Sequence, residues 1–483
     1  MPAPSIVQQI ISKLEDKNLL ILGFGLEGQS TYRFIRRHLP NQHITIADQN
    51  ELKANPLLTE DQNLTLISGP NYLNHLEYYD LILKSPGISF KNVDYSNFQD
   101  KITSELELIL EVNRENIIGI TGTKGKSTTS SLVYAILQAN HHDSRLLGNI
   151  GTPIFDEIEH ISPETLLVLE MSSHQLEFIK TSPHIGAILN LFEDHLDAAG
   201  SVEHYHWSKL NLFRHMTKND LAIYCADNPA LQQHMLNDNF RAQLISISTD
   251  SEIAANVELR NGQVYCHETP LYDIANDRHL LGQHNLENIM VALTITHFLG
   301  LDPKTSQTAV NNFQPLEHRL EKVATVDNIT YYNDVIATIP AATINAVKSL
   351  GNVDTLIFGG LDRGIDYTDF IDFLESSNIN HFICMPSTGH SIGQQLDSQK
   401  THFVDTLEEA VALASKITAK NSTCLLSPAA ASYEFYKNFQ EKGRAYKQLI
   451  HQLASGKQLT NQKQLTDRTE NTAPNATSKG QYA

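Results

Sequence analysis

The chain has 483 residues, 41% of them hydrophobic and 19% charged, and a formal net charge of −19. A length of this order points to about three domains, each large enough to bury its own core. The acidic balance argues against a nucleic-acid partner, which needs a basic surface, and it leaves anionic ligands to local devices: helix N-termini, Mg²⁺ and single basic residues.

The first predicted unit is the apolar run Leu19-Leu20-Ile21-Leu22, the glycine pattern Gly23-Phe24-Gly25-Leu26-Glu27-Gly28, a helix, and the strand Ile44-Thr45-Ile46-Ala47 ending at Asp48. Strand, G-x-G-x-x-G, helix, strand and an acidic residue is the dinucleotide-binding fingerprint in its proper context. On its face it indicates NAD. The same unit accepts any nucleotide diphosphate whose pyrophosphate sits on the helix N-terminus, and a plain tight turn is the bland alternative. A further strand, Leu81-Ile82-Leu83-Lys84, ends in Ser85-Pro86-Gly87, which is both a good turn and a candidate lining of the same crevice.

A polar stretch places a domain boundary near residue 114. After it, Ile117-Ile118-Gly119-Ile120-Thr121 runs into Gly122-Thr123-Lys124-Gly125-Lys126-Ser127-Thr128 and then a helical pattern. Glycines there let backbone N–H groups converge on a phosphate, Lys126 reaches the outer phosphates, and Ser127 or Thr128 can ligate Mg²⁺. The loop is a variant of the usual pattern, with Gly122 two residues closer to Gly125. Asn149 lies in a following loop. The strand Leu166-Leu167-Val168-Leu169 closes on Glu170, a hard oxygen ligand suited to Mg²⁺ beside a triphosphate. The strand around Ile185 ends at Glu193-Asp194-His195-Leu196-Asp197, which reads either as a metal and polyphosphate site or as a hydrogen-bonded structural histidine.

Residues 203–213 have the spacing of an amphipathic helix. Lys209 falls beside its apolar face, where a lysine ordinarily snorkels. Asn285 and Asn288 share one face of a later helix, where amides either meet an adenine edge or cap the helix. A second boundary falls near residue 315. Beyond it short apolar strands alternate with helical stretches, as expected of another α/β domain. From residue 455 the composition is that of a disordered tail. No apolar run of membrane-spanning length occurs, and residues 1–4 begin no secretory signal. The cysteines Cys225, Cys266, Cys384 and Cys424 form no C-x-x-C pair and suit buried thiols in a reducing cytoplasm.

Taken in order, Thr121-Gly-Thr-Lys-Gly-Lys-Ser-Thr, Glu170-Met-Ser-Ser-His-Gln-Leu-Glu, Asn190-Leu-Phe-Glu-Asp-His-Leu-Asp, His284-Asn-Leu-Glu-Asn, His318-Arg and Ser427-Pro-Ala-Ala-Ala-Ser resemble a Mur ligase. The short N-terminal nucleotide unit and Lys437-Asn438-Phe439 followed by Gly443 are most similar to the glutamate-adding members. The resemblance implies an α/β protein of three domains, each a mainly parallel sheet flanked by helices: a Rossmann-like UDP-sugar domain (1–113), a P-loop-type ATPase (114–315) and a Rossmann-like amino-acid domain (316–454), before the tail (455–483). It implies ATP-driven amide formation through an acyl phosphate, in peptidoglycan precursor synthesis, with UDP-N-acetylmuramoyl-L-alanine, glutamate and ATP as substrates. A cytoplasmic monomer is expected.

Carried over residue by residue, the resemblance gives catalytic roles to Lys126, His195 and Lys209. ATP falls to Gly122, Thr123, Lys124, Gly125, Lys126, Ser127, Thr128, Asn285, Asn288, Arg319 and Asp334. Two Mg²⁺ ions fall to Ser127, Glu170, His195 and Lys209, the last as a carbamate. The UDP-sugar falls to Gly25, Leu26, Gly28, Asp48, Ser85, Pro86, Gly87 and Asn149, and the amino acid to Thr338, Arg363, Ser432 and Phe439. Asp334-Val335-Ile336-Ala337-Thr338-Ile339 departs from the family's Asp-Ser-Lys-Ala-Thr-Asn, losing a hydroxyl and a cation, which opens the choice between D- and L-glutamate. His174 replaces the family's usual aromatic beside Gln175. The rivals are another Mur-type or folylpolyglutamate-type ligase, a nicotinamide oxidoreductase, and a non-catalytic Mur-like binding module.

Overall fold

The computed structural model describes residues 4–456 except 54, 151, 193–200, 276, 277, 315, 316, 362–366, 432–435 and 437. The chain divides into two compact units, Met1–Phe313 and Gln314–Ala483.

Two sheets make up the described part of the first unit. The N-terminal sheet contains β1 (Leu19–Leu22), β2 (Ile44–Asp48), β3 (Leu64–Ser68), β4 (Leu81–Lys84) and β5 (Ile102–Thr103), in the order β3-β2-β1-β4-β5. All its pairings are parallel. β1 and β2 are buried along their whole length, as expected of central parallel strands covered on both faces. The loop after β1 feeds helix α1 (Leu26–His38).

The second sheet contains β6 (Ile117–Thr121), β7 (Ser144–Gly148), β8 (Leu166–Glu170), β9 (Ile185–Ile188), β10 (Leu221–Cys225), β11 (Gln243–Ser248), β12 (Val257–Arg260), β13 (Gln263–Cys266) and β14 (Thr269–Asp273). Its order is β14-β13-β12-β11-β10-β9-β6-β8-β7. The strands from β7 across to β12 are parallel, and β13 and β14 add an antiparallel edge. Helix α2 (Lys126–Ala139) follows β6, α3 (Val202–Arg214) precedes β10, and α4 (Gln283–Phe298) follows β14. One apolar cluster runs through both sheets' helices, with the rings of Phe34 and Phe155 4.5 Å apart, and Arg33 pairs with Asp156 at 2.6 Å beside it.

The second unit holds β15 (Glu321–Val326), β16 (Ile329–Asn333), β17 (Val353–Phe358), β18 (His381–Cys384), β19 (Thr401–Phe403) and β20 (Ser422–Leu426), in the order β15-β16-β20-β17-β18-β19. Among these described strands, only the β15–β16 pairing is antiparallel. Helix α5 (Phe439–Ala454) closes the described chain. The mixed α/β class with mainly parallel sheets is the one expected, and all four cysteines are free and buried. Residues 457–483, expected to be a tail, lie outside the described residues.

Candidate active site

The strand β6 is fully buried and delivers the chain into residues 122–125 at its carboxyl end, the edge at which parallel sheets take ligands. Asn190, just past the neighbouring β9, shapes this loop from outside: its Oδ1 accepts Lys124 N at 2.8 Å, its Nδ2 donates to Lys124 O at 3.1 Å, and its carbonyl accepts Thr123 N at 3.0 Å. Gly125 has φ +87°, and a Cβ there would lie 2.5 Å from Asn288 Oδ1. Only glycine allows that turn and that approach. Helix α2 starts at Lys126 with no side-chain cap, so its first N–H groups remain available to an anion. Lys126 Nζ donates to Gly122 O at 2.9 Å and Thr123 O at 3.0 Å.

Lys209 is 1% exposed, and its Nζ also donates to Gly122 O, at 2.9 Å. Two ammonium groups thus share one carbonyl oxygen. The snorkelling expected from helical spacing is replaced by full burial.

β8 lies beside β6, in register Ile120↔Glu170. Glu170 is buried; its Oε1 accepts Asn149 Nδ2 at 2.7 Å, while its Oε2 is buried with no hydrogen-bond partner. An orphaned carboxylate oxygen is costly unless something cationic completes it. With the hydroxyl of Ser127 in the first turn of α2, this donor set fits a hard divalent cation. The structure therefore joins Asn149 to Glu170 at the strand ends of the second sheet. His195 lies outside the described residues.

Asn285 and Asn288 are buried on α4 and linked to each other, Asn288 Nδ2 to Asn285 Oδ1 at 3.2 Å. Asn288 Oδ1 accepts the Thr129 hydroxyl at 3.1 Å and Asn285 Nδ2 donates to Leu281 O at 2.7 Å. The pair braces α4 against α2, directly behind Gly125. Thr128, beside Thr129, is buried.

The first glycine loop has the same plan. Helix α1 begins after Gly25 with no side-chain cap, and Leu26 is 77% exposed at its mouth. A Cβ on Gly28 would lie 2.0 Å from Gly23 O, so helix and strand approach only because position 28 lacks one. The Ser85 hydroxyl donates to Gly23 O at 2.9 Å, which brings the turn of Ser85, Pro86 and Gly87 alongside. Asp48 braces the loop: Oδ2 accepts Phe24 N at 2.7 Å and Oδ1 accepts Asn50 N at 2.8 Å.

In the second unit, Asp334 is buried and accepts Leu320 N at 3.1 Å and the Ser427 hydroxyl at 2.8 Å. Burial pushes its carboxyl up to about 7, with Arg319 pulling the other way. Val335 is wholly buried in the core and Ile336 half-buried; the lost hydroxyl thus sits at a core-facing position. Thr338 is half-buried, and the Phe439 ring packs edge-on to His318 at 6.2 Å. Arg363 and Ser432 lie outside the described residues. Glu317, His318 and Glu321 have metal-ligand spacing, but Lys447 already bridges Glu317 and Glu321 at 2.7 and 2.6 Å. That is an ion-pair cluster.

Sequence reasoning missed a buried group at the end of β4. Lys84 is 5% exposed, lies 5.4 Å from the ring centres of both Phe90 and Phe178, and is 3.8 Å from Glu177, which meets His204 at 3.0 Å. Burial lowers the Lys84 pKa, and Glu177 and Glu27 oppose that shift. A cavity of about 490 Å³, lined by Phe90, Tyr95, Glu177, Ser201 and His204 among others, shares Phe90 and Glu177 with the surroundings of Lys84. These residues are remote from one another in sequence, and no local pattern signals them.

A family model described as the Mur ligase middle domain matches residues 120–296, and one described as Mur ligase, glutamate ligase domain, matches 318–430. The UDP-N-acetylmuramoylalanine--D-glutamate ligase of Geobacillus kaustophilus is 32% identical over 450 residues, 91% of this chain and 98% of that one. The chain belongs to the Mur ligase family. A Mur ligase of the same description from Bacillus thuringiensis strain Al Hakam is 31% identical, with coverages of 92% and 99%. Among solved Mur ligases, the Thermotoga maritima UDP-N-acetylmuramate-alanine ligase MurC matches with a TM-score of 0.56 at 18% identity, covering 90% of this chain and 99% of that one. The MurF ligase of the same organism, in complex with ADP, matches at 0.58 and 14%, covering 93% and 100%. These structural likenesses establish the shared fold.

Proposed function

We infer that this Mur ligase adds D-glutamate to UDP-N-acetylmuramoyl-L-alanine at the expense of ATP, in peptidoglycan precursor synthesis. The observation that carries the reading is the meeting of Lys126 and Lys209 on Gly122 O at the uncapped start of α2. It is an anion site in which Lys126 is the cation placed for a phosphoryl group in transfer, while Lys209, buried against the same loop, is the residue that carries the carbamate. The alanyl carboxylate oxygen attacks the γ-phosphorus of ATP as the bond to the bridging oxygen breaks, giving an acyl phosphate and ADP. The glutamate amine then attacks the acyl carbon, the C–O bond to phosphate breaks, and the amine gives up a proton. Lys126 balances charge on the transferring oxygens, and the α2 amides hold the phosphates.

Ser127, Glu170, His195 and a carbamylated Lys209 are the residues that would hold Mg²⁺, as two ions; the buried unpartnered Glu170 Oε2 supports this. When bound, Mg²⁺ neutralises phosphate charge. Residues 122–128 with Asn285, Asn288, Arg319 and Asp334 serve ATP. The loop of Gly25, Leu26 and Gly28, with Asp48, Ser85, Pro86, Gly87 and Asn149, serves the UDP-sugar. Thr338, Arg363, Ser432 and Phe439 serve glutamate. Domain limits at 113/114, 315/316 and 454/455 belong to the same reading, as do a cytoplasmic monomer and the absence of nucleic-acid or membrane partners. Among the described residues no helix is long and apolar enough to cross a membrane.

The test is phosphate release from ATP and UDP-N-acetylmuramoyl-L-alanine with D-glutamate, L-glutamate or no amino acid. Release with D-glutamate alone is expected. Release with L-glutamate instead would assign a rebuilt acceptor pocket to the Val335-Ile336 departure, and release with neither would remove the proposed acceptor.

A further inference from the structure

Helix α3 presents Tyr205 and Lys209 four residues apart, on one face. Both are buried, Tyr205 at 2% and Lys209 at 1% exposure. The Tyr205 ring centre lies 4.8 Å from Lys209 Nζ, and the phenol hydroxyl lies 3.3 Å from Thr123 Oγ1, to which it donates. Thr123 belongs to the phosphate loop, but its hydroxyl is engaged elsewhere: it accepts Phe192 N at 3.0 Å and lies 3.3 Å from Phe192 O. Thr123 N is held by Asn190 O at 3.0 Å. One hydroxyl therefore joins three segments that are distant in sequence. They are the loop carrying Lys126, the helix carrying Lys209, and the exit of β9 that leads in sequence to His195.

A buried phenol oxygen needs a partner, and this one donates to the phosphate loop through Thr123 Oγ1. The same side chain touches Lys209 through its ring and the loop through its hydroxyl, so a displacement of either moves the other. We propose that Tyr205 and Thr123 form a clasp that fixes the loop of Lys126 against Lys209, making Tyr205 a positioning residue for phosphoryl transfer. This rests on the phosphate-loop reading above. The hydroxyl contact, at 3.3 Å, is longer than the roughly 2.8 Å of a strong O–H···O bond. Thr123 contributes to the ATP site through its hydroxyl contacts with Tyr205 and Phe192.

The experiment compares Tyr205→Phe, Thr123→Val and the double variant in the full chain with ATP, UDP-N-acetylmuramoyl-L-alanine and D-glutamate. Tyr205→Phe keeps the ring over Lys209 and deletes only the hydroxyl. Each single variant should lower kcat by about tenfold with KM for the UDP-sugar unchanged, as for other residues that orient a ligand set. The double variant should be no worse than the poorer single, because both changes cut one link, and Thr123→Ser should restore most of the loss. Unchanged kcat in Tyr205→Phe, or effects that multiply to about a hundredfold, would overturn the clasp. A second readout needs no turnover: amide hydrogen exchange over residues 120–125 should quicken by about tenfold in Tyr205→Phe, and unchanged exchange counts against the clasp. If the wild type releases no phosphate with any acceptor while exchange quickens, the ligase reading fails and the clasp stands. If the wild type turns over and Tyr205→Phe matches it in both readouts, the clasp fails alone.

Discussion

The first unit contains the same device twice, a buried parallel strand, a glycine loop and an uncapped helix, and the two copies differ in the charges around them. Residues 122–126 have Lys126 and Lys209 against the loop. Residues 23–28 have Asp48 bracing the loop and Glu27 in the first turn of α1, where burial raises the Glu27 pKa and Gln175 donates to it at 2.6 Å. A helix N-terminus alone is enough to hold a pyrophosphate that does not react. Moving a phosphoryl group requires cations that follow charge as it migrates. On the function proposed above, the backbone plan serves binding in both copies, and side chains from distant segments distinguish the one assigned to transfer.

Breaking the second loop should produce the largest effect. Lys126→Ala is expected to cut phosphate release by about a thousandfold or more, in line with removal of a charge-stabilising donor. UDP-sugar binding, measured by calorimetry, should stay within about twofold, since that ligand is assigned to the other loop. Parallel loss of both would mean the two loops are not separate sites. Lys209→Ala should lose about a hundredfold, and short-chain carboxylic acids should restore part of it by standing in for the carbamate. A variant indifferent to added carboxylate would leave Lys209 as a plain cation.

Gly28→Ala attacks the first loop. Its Cβ would lie 2.0 Å from Gly23 O, so the loop must shift, and KM for the UDP-sugar should rise about tenfold or more while ATP binding is retained. Equal loss of ATP affinity would argue that the change unfolds the unit rather than the loop.

The smallest effect concerns the acidic floor beneath α1. Glu105 is buried, accepts the Thr31 hydroxyl at 3.0 Å, and has its carboxyl pushed up to about 8, by burial first and then by Glu27. Between the ordinary value of 4.5 and about 8 the folded protein holds a proton that the unfolded chain has released. Stability from this group is thus complete below 4.5 and declines as pH rises toward about 8. Glu105→Gln should flatten that decline, so its melting temperature should gain on the wild type between pH 5 and pH 8. A constant difference across that range would place the proton elsewhere.

How much of this was legible depended on whether the information was local. The phosphate loop and the first glycine loop were readable because strand, glycines and helix start lie within a dozen residues. Asp48 was correctly singled out as the acidic end of β2, but which hydrogen bonds it makes depended on the path of residues 24 and 50. Lys209 is the clearest limit. Helical spacing made it an ordinary snorkelling lysine, resemblance alone made it a ligand, and its contact with Gly122 spans 87 residues. Tyr205 and Lys84 gave no signal for the same reason. The Val335-Ile336 departure looked like the loss of two ligand groups, and the structure places Val335 in the hydrophobic core of the second unit.

Lys126 already donates to the carbonyls of Gly122 and Thr123. A nucleotide bound there as proposed would compete with the loop's own backbone for its lysine. Much of the enthalpy of the new lysine–phosphate contact is offset by the bonds surrendered, so binding there should be driven more by released water than by heat. An inhibitor that brings only a weak acceptor to this spot would exchange one hydrogen bond for another and gain little affinity, whereas one that carries full negative charge would pair with the Lys126 ammonium outright.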